Sequence, residues 1–191
     1  MNTLIINGNP DKNSFGAAMA DRYMKGALDT NNNVKLIHLI DLDFDPILRF
    51  GYKKKQELEP DLKMVQDEIN NSDHIVFIFP TWWSTYPAIF KGFIDRIFLP
   101  GFGFKFKKGS PMPDKLLKGK SARVIITMDG PALFYKWYMG SPGLNSFKKG
   151  VLGFCGIKPV KTTIFSSIKS KSEEKLKEML NVVEKLGRKG A

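Results

Sequence analysis

The sequence predicts a doubly wound α/β domain, a three-layer sandwich on five parallel strands, and three observations carry that prediction. Five short runs rich in branched and aromatic residues alternate along the chain with stretches of helical periodicity. The central run, Ile75–Phe79 (IVFIF), is unbroken, the pattern of a strand buried on both faces of a parallel sheet. Behind it, Ile89, Phe90, Phe93, Ile94, Ile97 and Phe98 recur at helical spacing and form an apolar stripe that needs a sheet to cover.

The elements follow in order. Thr3–Asn7 (TLIIN) is a short apolar strand. Gly8–Asn13 is rich in turn residues, and Ser14 stands where a helix N-cap belongs, with Phe15, Met19, Tyr23 and Ala27 on one face behind it. Asn31–Asn33 turns the chain into a second strand, Val34–Leu39, which ends at Asp41–Pro46. Lys53–Lys55 reads as solvated loop ahead of a helix that begins near Pro60 and turns Leu62, Val65 and Ile69 inward. After the central strand, Ser84 or Thr85 is expected to cap the next helix, and Pro87 fits its first turn. Pro100–Lys120 is rich in Gly, Pro and Lys, with Phe102, Phe104 and Phe106 alternating as in a half-buried extended segment. Arg123–Met128 (RVIITM) is the fourth strand, broken sharply by Asp129, Gly130 and Pro131. Gly143–Phe154 reads as helix, with Leu144, Phe147, Val151 and Phe154 on one side, and Pro159–Phe165 as the fifth strand. Ser170 and Glu173 stand at capping-box spacing before a last helix striped by Leu176, Met179, Leu180 and Val183.

Composition narrows the function. The 191 residues read as one domain, 1–191, long enough to bury a sizeable core. A single cysteine, Cys155, excludes an internal disulfide, and the Met1 end lacks the regions of a signal peptide, so a cytoplasmic protein is expected. No apolar run approaches the roughly 18 residues of a membrane span. The net charge of +11 comes from lysines and arginines spread through the chain without a nucleic-acid motif. Nucleic acid is therefore not an expected partner, whereas the positive field favours anionic ligands such as nucleotide cofactors. His38 and His74 have no neighbouring ligands in sequence and are read as structural, with no metal site expected. Cys155, in Phe154-Cys155-Gly156, is read as a small buried hydrophobe rather than a catalytic thiol.

Five strands with a phosphate-compatible loop after the first suit the order 2-1-3-4-5, in which ligands sit at the carboxyl ends of the first, third and fourth strands. Those ends are Gly8–Phe15, Pro80–Ser84 and Asp129–Gly130. Ser14 and the amides after it, at the positive end of a helix, can hold a phosphate, although the loop carries neither the GxGxxG nor the GxxxxGK[ST] signature. Trp82 or Trp83 with the loop backbone can hold a flat aromatic ring. A ring with a phosphate tail is flavin mononucleotide, FMN. A tyrosine hydroxyl such as Tyr135 can stabilise charge near the flavin N1–O2 edge. The aromatics of Ala132–Pro142, which include Phe134, Tyr135, Trp137 and Tyr138, form either a ligand wall or a subunit contact.

Four stretches, LIINGNPDKNSF, FPTWWSTYPAIFKGFIDRIF, ITMDGPALFY and GVLGFCGIKPV, make the chain resemble the NAD(P)H:quinone oxidoreductase family of flavodoxin-like flavoproteins. The resemblance is nearest to the short bacterial-type members, which include soluble ancillary subunits of glutathione-gated potassium efflux systems. It implies a flavodoxin-like fold and an enzyme that reduces a flavin by hydride transfer from NAD(P)H and then passes two electrons to a quinone, in ping-pong order. It places Ser14, Phe15 and Ala17 around the flavin phosphate with Asn9 in the same loop, and Pro80, Thr81, Trp82, Trp83 and Ser84 around the ring. Thr127, Met128, Asp129 and Gly130 then line the pyrimidine side, with Tyr135 beyond them. It also implies a homodimer with its sites at the subunit interface.

Three positions depart from the family pattern: Asn9 stands where many members have histidine, Asp129 replaces a glycine of the animal enzymes, and Ser141 falls where those enzymes place a histidine. An acidic Asp129 beside a reduced, anionic flavin raises the cost of reduction by like-charge repulsion unless it bonds elsewhere or is protonated. The chain has no counterpart of the animal enzymes' long carboxyl-terminal extension, and FMN is expected over FAD. Two other readings compete with the enzyme: a flavin-binding regulatory subunit docked on a membrane potassium-efflux protein, and a flavodoxin-type electron carrier.

Overall fold

The computed structural model describes residues 1–107 and 109–190. In chain order the principal elements are β1 (Asn2–Asn7), α1 (Phe15–Leu28), β2 (Asn33–His38), α2 (Pro60–Asn71), β3 (His74–Pro80) and α3 (Ala88–Ile97). They continue with β4 (Phe104–Lys105), β5 (Asp114–Lys115), β6 (Ser121–Thr127), α4 (Pro142–Asn145), α5 (Gly153–Cys155), β7 (Val160–Phe165) and α6 (Glu173–Lys189). The main sheet runs β2-β1-β3-β6-β7 with every pair parallel. Numbered among themselves, its strands stand in the order 2-1-3-4-5, that of the flavodoxin-like fold.

Strand alternation sorts the core into two layers. From β3, Ile75, Phe77 and Phe79 face α2, α3 and the 142–155 helical segment, while Val76 and Ile78 face α1 and α6. The first layer is aromatic, with Phe79 against Phe90 at 4.5 Å between ring centroids and Phe77 against Phe147 at 4.9 Å, edge to face. In the second layer α1 and α6 cross closely at Gly26 and Gly187. A Cβ on Gly26 would lie 2.0 Å from the Glu184 carbonyl oxygen, so only glycine permits this approach.

Several local details differ from the sequence reading. Pro87 is itself the N-cap of α3, because Ser84 is occupied in a tight turn before it, and no side chain caps that helix. The last helix is capped by Ser172, whose Oγ accepts from the Lys175 amide at 3.4 Å; Ser170 ends a preceding 3₁₀ turn instead. The extended segment expected at Phe102–Phe106 is reduced to the two-residue β4, paired antiparallel with β5. Phe104 is buried there while Phe106 is exposed, and Lys108 lies outside the described residues. The 142–155 segment is helical but π-wound over Ser146–Leu152.

One buried charge was not anticipated. Arg96, fully buried on α3, reaches Glu59 Oε1 at 3.1 Å and Oε2 at 2.8 Å, and donates to the carbonyls of Asp45 and Glu57. It fastens the long β2–α2 connection to the central helix. No helix among the described residues is long and apolar enough to cross a membrane.

Candidate functional site

The three predicted loops meet along one rim because β1, β3 and β6 are sheet neighbours. Gly8 N donates to the Ile78 carbonyl at 2.8 Å, and Thr81 N to the Thr127 carbonyl at 2.7 Å, so each loop is bonded to the next strand as it leaves the sheet.

The first loop owes its shape to side-chain turns. Asn7 Oδ1 accepts from the Asn9 amide at 3.2 Å, Asn9 Oδ1 from Asp11 at 3.0 Å, and Asp11 Oδ1 from Asn13 at 2.8 Å. Three successive Asx turns thus lead into α1. Ser14 Oγ then accepts from the Ala17 amide at 3.2 Å, which leaves the Phe15 and Gly16 N–H groups at the helix start with no carbonyl in an earlier turn to serve them. Asn9, Gly16 and Ala17 are buried, Ser14 and Phe15 half-buried. Backbone donors and the positive end of the helix dipole thus stand together at the start of α1.

The second loop is strained. Trp82 and Thr85 exchange backbone hydrogen bonds of 3.1 and 2.9 Å around Trp83 (φ 49°) and Ser84 (φ 61°), the left-handed pair of a type I′ turn. Such turns prefer Asn-Gly, and a bulky residue in this region costs of order 1 kcal/mol or more. Trp83 stands 98% exposed at its tip and Trp82 is 49% exposed. Thr81 Oγ1, just before the turn, is buried with no hydrogen-bond partner. A buried hydroxyl left unpaired is costly, and Thr3 Oγ1, toward the opposite end of the sheet, is unpaired in the same way. A groove of about 600 Å³ runs beside the turn, lined by Trp82, Trp83, Thr85, Tyr86 and, across it, Gly143 and Ser146. Two other hollows, about 480 Å³ near Leu48 and about 590 Å³ near Phe98, are lined by none of the predicted site residues.

Gly143 fixes the turn against α4. Its amide donates to the Ser84 carbonyl at 3.0 Å, and a Cβ at this position would lie 2.5 Å from Thr85 Cα. Tyr135 is buried, and its hydroxyl accepts from the Leu144 amide at 3.1 Å. Burial raises its pKa above the usual value, opposed by the Leu144 and Gly143 amides, so the hydroxyl keeps its proton across the neutral range. Phe134, Trp137 and Tyr138 on the same π-wound stretch are exposed, with Phe134 and Tyr138 stacked at 4.8 Å.

At the third loop, Thr127 and Met128 are buried, with the Met128 side chain in the core, the Thr127 carbonyl bonded to the Thr81 amide, and the Met128 amide and carbonyl bonded to the segment that ends β7. Gly130 is exposed, with open space about its Cα. Asp129 bonds away to the segment after β7: Oδ1 accepts from the Lys169 amide at 3.3 Å, and Oδ2 lies 3.0 Å from Lys169 Nζ. Lys169 was not anticipated, and no local motif marks it, since it reaches the rim only because β7 pairs with β6. The Asx ladder was legible in principle in the alternation Asn7, Asn9, Asp11. Cys155 is buried in the core and pushed up to about 11 by burial, the state of an inert thiol. His38 Nδ1 lies 3.0 Å from Asn7 Nδ2, a structural contact. Among the described residues no three His, Cys, Asp or Glu side chains gather as a metal site.

A parallel doubly wound sheet with a capped helix start and open loops at the carboxyl ends of its central strands is an architecture whose ligands commonly sit at that end of the sheet. A family model described as a flavodoxin-like fold matches residues 1–186. An uncharacterised NAD(P)H oxidoreductase of Haemophilus influenzae is 30% identical over 187 residues, 95% of this chain and 92% of that protein. The ribosyldihydronicotinamide dehydrogenase [quinone] of Mus musculus is 34% identical over 134 residues, 68% of this chain but 57% of its own length. Among solved structures, that of Smu.1420 from Streptococcus mutans UA159 superposes with a TM-score of 0.87 at 32% identity, covering 99% of this chain and 100% of that one. An FMN-dependent NADH-azoreductase from Bacillus anthracis in complex with FMN superposes with a TM-score of 0.74 at 20% identity, over 99% of each chain, a likeness of fold. The chain belongs to the flavodoxin-like NAD(P)H oxidoreductase family.

Proposed function

We propose that this protein is an FMN-dependent NAD(P)H:quinone oxidoreductase, and the observation that carries the reading furthest is the orphaned Thr81 hydroxyl. Thr81 directly follows β3 and precedes the strained tryptophan turn, on the rim that also carries the start of α1 with its first amides free. The relatives' names, an uncharacterised NAD(P)H oxidoreductase and a ribosyldihydronicotinamide dehydrogenase [quinone], and the FMN in the azoreductase complex support it.

In this reading Ser14 and the amides of Phe15 and Gly16 hold the phosphate, with Asn9 and Ala17 closing the loop. Pro80, Thr81, Trp82, Trp83 and Ser84 carry the ring, and Thr127, Met128, Asp129 and Gly130 line its pyrimidine edge. Bound FMN supplies a two-electron acceptor for hydride from NAD(P)H and a donor to the quinone. The chain's part is placement: the tryptophan turn leaves one open groove, which donor and acceptor occupy in turn. Tyr135, whose oxygen already accepts from Leu144, keeps its O–H free to donate toward charge at the ring edge. The exposed Phe134, Trp137 and Tyr138 suit a second copy of the chain, closing the groove as a homodimer.

Thr81→Val tests the reading with effects of opposite sign. The ligand-free protein holds or gains stability because an unpaired buried hydroxyl is removed, while FMN binds about fivefold more weakly for the lost hydrogen bond. Melting curves and fluorescence-quenching titration measure the two. Unchanged FMN affinity takes Thr81 out of the site.

A further inference from the structure

We propose that Lys169 is the charge-compensating residue of this site, held against Asp129 so that the rim tolerates a reduced, negatively charged cofactor. The inference rests on the FMN reading above. Asp129 follows Thr127 and Met128 at the carboxyl end of β6, on the side assigned to the ring's pyrimidine edge, and a bare carboxylate there repels an anion. The segment after β7 answers it by construction. The Phe165 carbonyl accepts from Met128 N at 2.9 Å, Ile168 N donates to the Met128 carbonyl at 3.3 Å, and Lys169 N donates to Asp129 Oδ1 at 3.3 Å. Ser167, in the left-handed region at φ 57°, turns the chain back to make these bonds. They bring Lys169 Nζ to 3.0 Å from Asp129 Oδ2.

The pair has little to do for the fold. The Lys169 side chain is 86% exposed and that of Asp129 51%, and ion pairs so exposed contribute little to stability. Lys169 is thus a positioning and compensating residue rather than a catalytic one, and its substitution separates charge from folding.

The test measures the midpoint potential of bound FMN anaerobically, with chemical reductant and no nicotinamide nucleotide, alongside the affinity of oxidised FMN. The proteins are the parent chain, Lys169→Met, Asp129→Asn, the double variant and Lys169→Arg. Lys169→Met is expected to bind oxidised FMN within about twofold of the parent and reduced FMN about fivefold more weakly, which a two-electron couple reads as a fall of about 20 mV. The double variant returns to the parent potential, because neither charge remains, and Lys169→Arg keeps it. An unchanged potential in Lys169→Met, an equal loss for both redox states, or no return in the double variant overturns the inference while leaving the FMN reading intact. A parent protein that binds no FMN overturns that reading, and this inference with it.

Discussion

Ser14 caps α1 through the Ala17 amide, and in the proposed reading the same residue and the preceding amides hold the cofactor's phosphate. Ser14→Ala is expected to cost about 1 kcal/mol of stability, the usual worth of such a cap. It also weakens FMN more than riboflavin, which has no phosphate. Equal losses for the two ligands in parallel quenching titrations remove Ser14 from the phosphate site. The cap was legible in the sequence because Ser14 precedes a helical stripe and follows a turn-rich loop. The Trp83–Ser84 turn was not, because a type I′ turn is normally announced by Asn-Gly and here two residues with side chains adopt left-handed backbone under the pull of their surroundings.

Among elements, the 142–155 helical segment decides how firmly the site is held, through a single close approach. Gly143→Ala places a methyl group 2.5 Å from Thr85 Cα and 2.7 Å from the Ser84 carbonyl, both backbone atoms that cannot swing aside. The expected cost is about 1–3 kcal/mol, a fall in melting temperature of roughly 3–10 °C, with a loss of FMN affinity as the tryptophan turn shifts. Gly150→Ala, on the same helical segment with nothing within 4 Å, is the control and is expected to leave FMN affinity unchanged and to hold or slightly raise the melting temperature. An unaltered melting temperature in Gly143→Ala means the contact is softer than the geometry states. The five strands of the main sheet were readable from their branched and aromatic runs and differ from the structure only at their ends. The capping residues of α3 and α6 were misread because several serines and threonines stood within one turn, and tertiary contacts rather than local chemistry chose among them.

At the scale of the whole molecule, the sheet carries a buried titration far from the rim. His74, fully buried, lies between the Tyr23 hydroxyl at 3.3 Å and Ser121 Oγ at 2.8 Å. Burial, and then the charges of Arg123 and Lys161, depress its pKa to about 4. The folded protein therefore holds a neutral imidazole that the unfolded chain protonates below about 6.5. That contribution, up to about 3 kcal/mol, is fully present above pH 6.5 and is lost as the pH falls toward 4. Carboxylates such as Glu184, held low chiefly by Arg22, add their loss only at still lower pH. Urea unfolding at pH 7.5 and pH 5 is expected to show the decline, and His74→Gln to flatten it. A parent profile level between those values contradicts the assignment. Topology was the most legible property of all, since alternating strands and helices leave few ways to wind a parallel sheet. The Asp129–Lys169 contact was the least legible, because forty residues and a strand pairing separate its members.

Oxidoreductase activity is decided by an anaerobic absorbance titration of the FMN-loaded protein with NADPH and, separately, NADH, followed by one equivalent of a simple quinone. The flavin band is expected to bleach in a two-electron step with no one-electron species accumulating, and to recover fully when the quinone is added. A protein that binds FMN but is reduced by neither nucleotide contradicts the oxidoreductase assignment, and one that binds no flavin contradicts the reading of the rim itself.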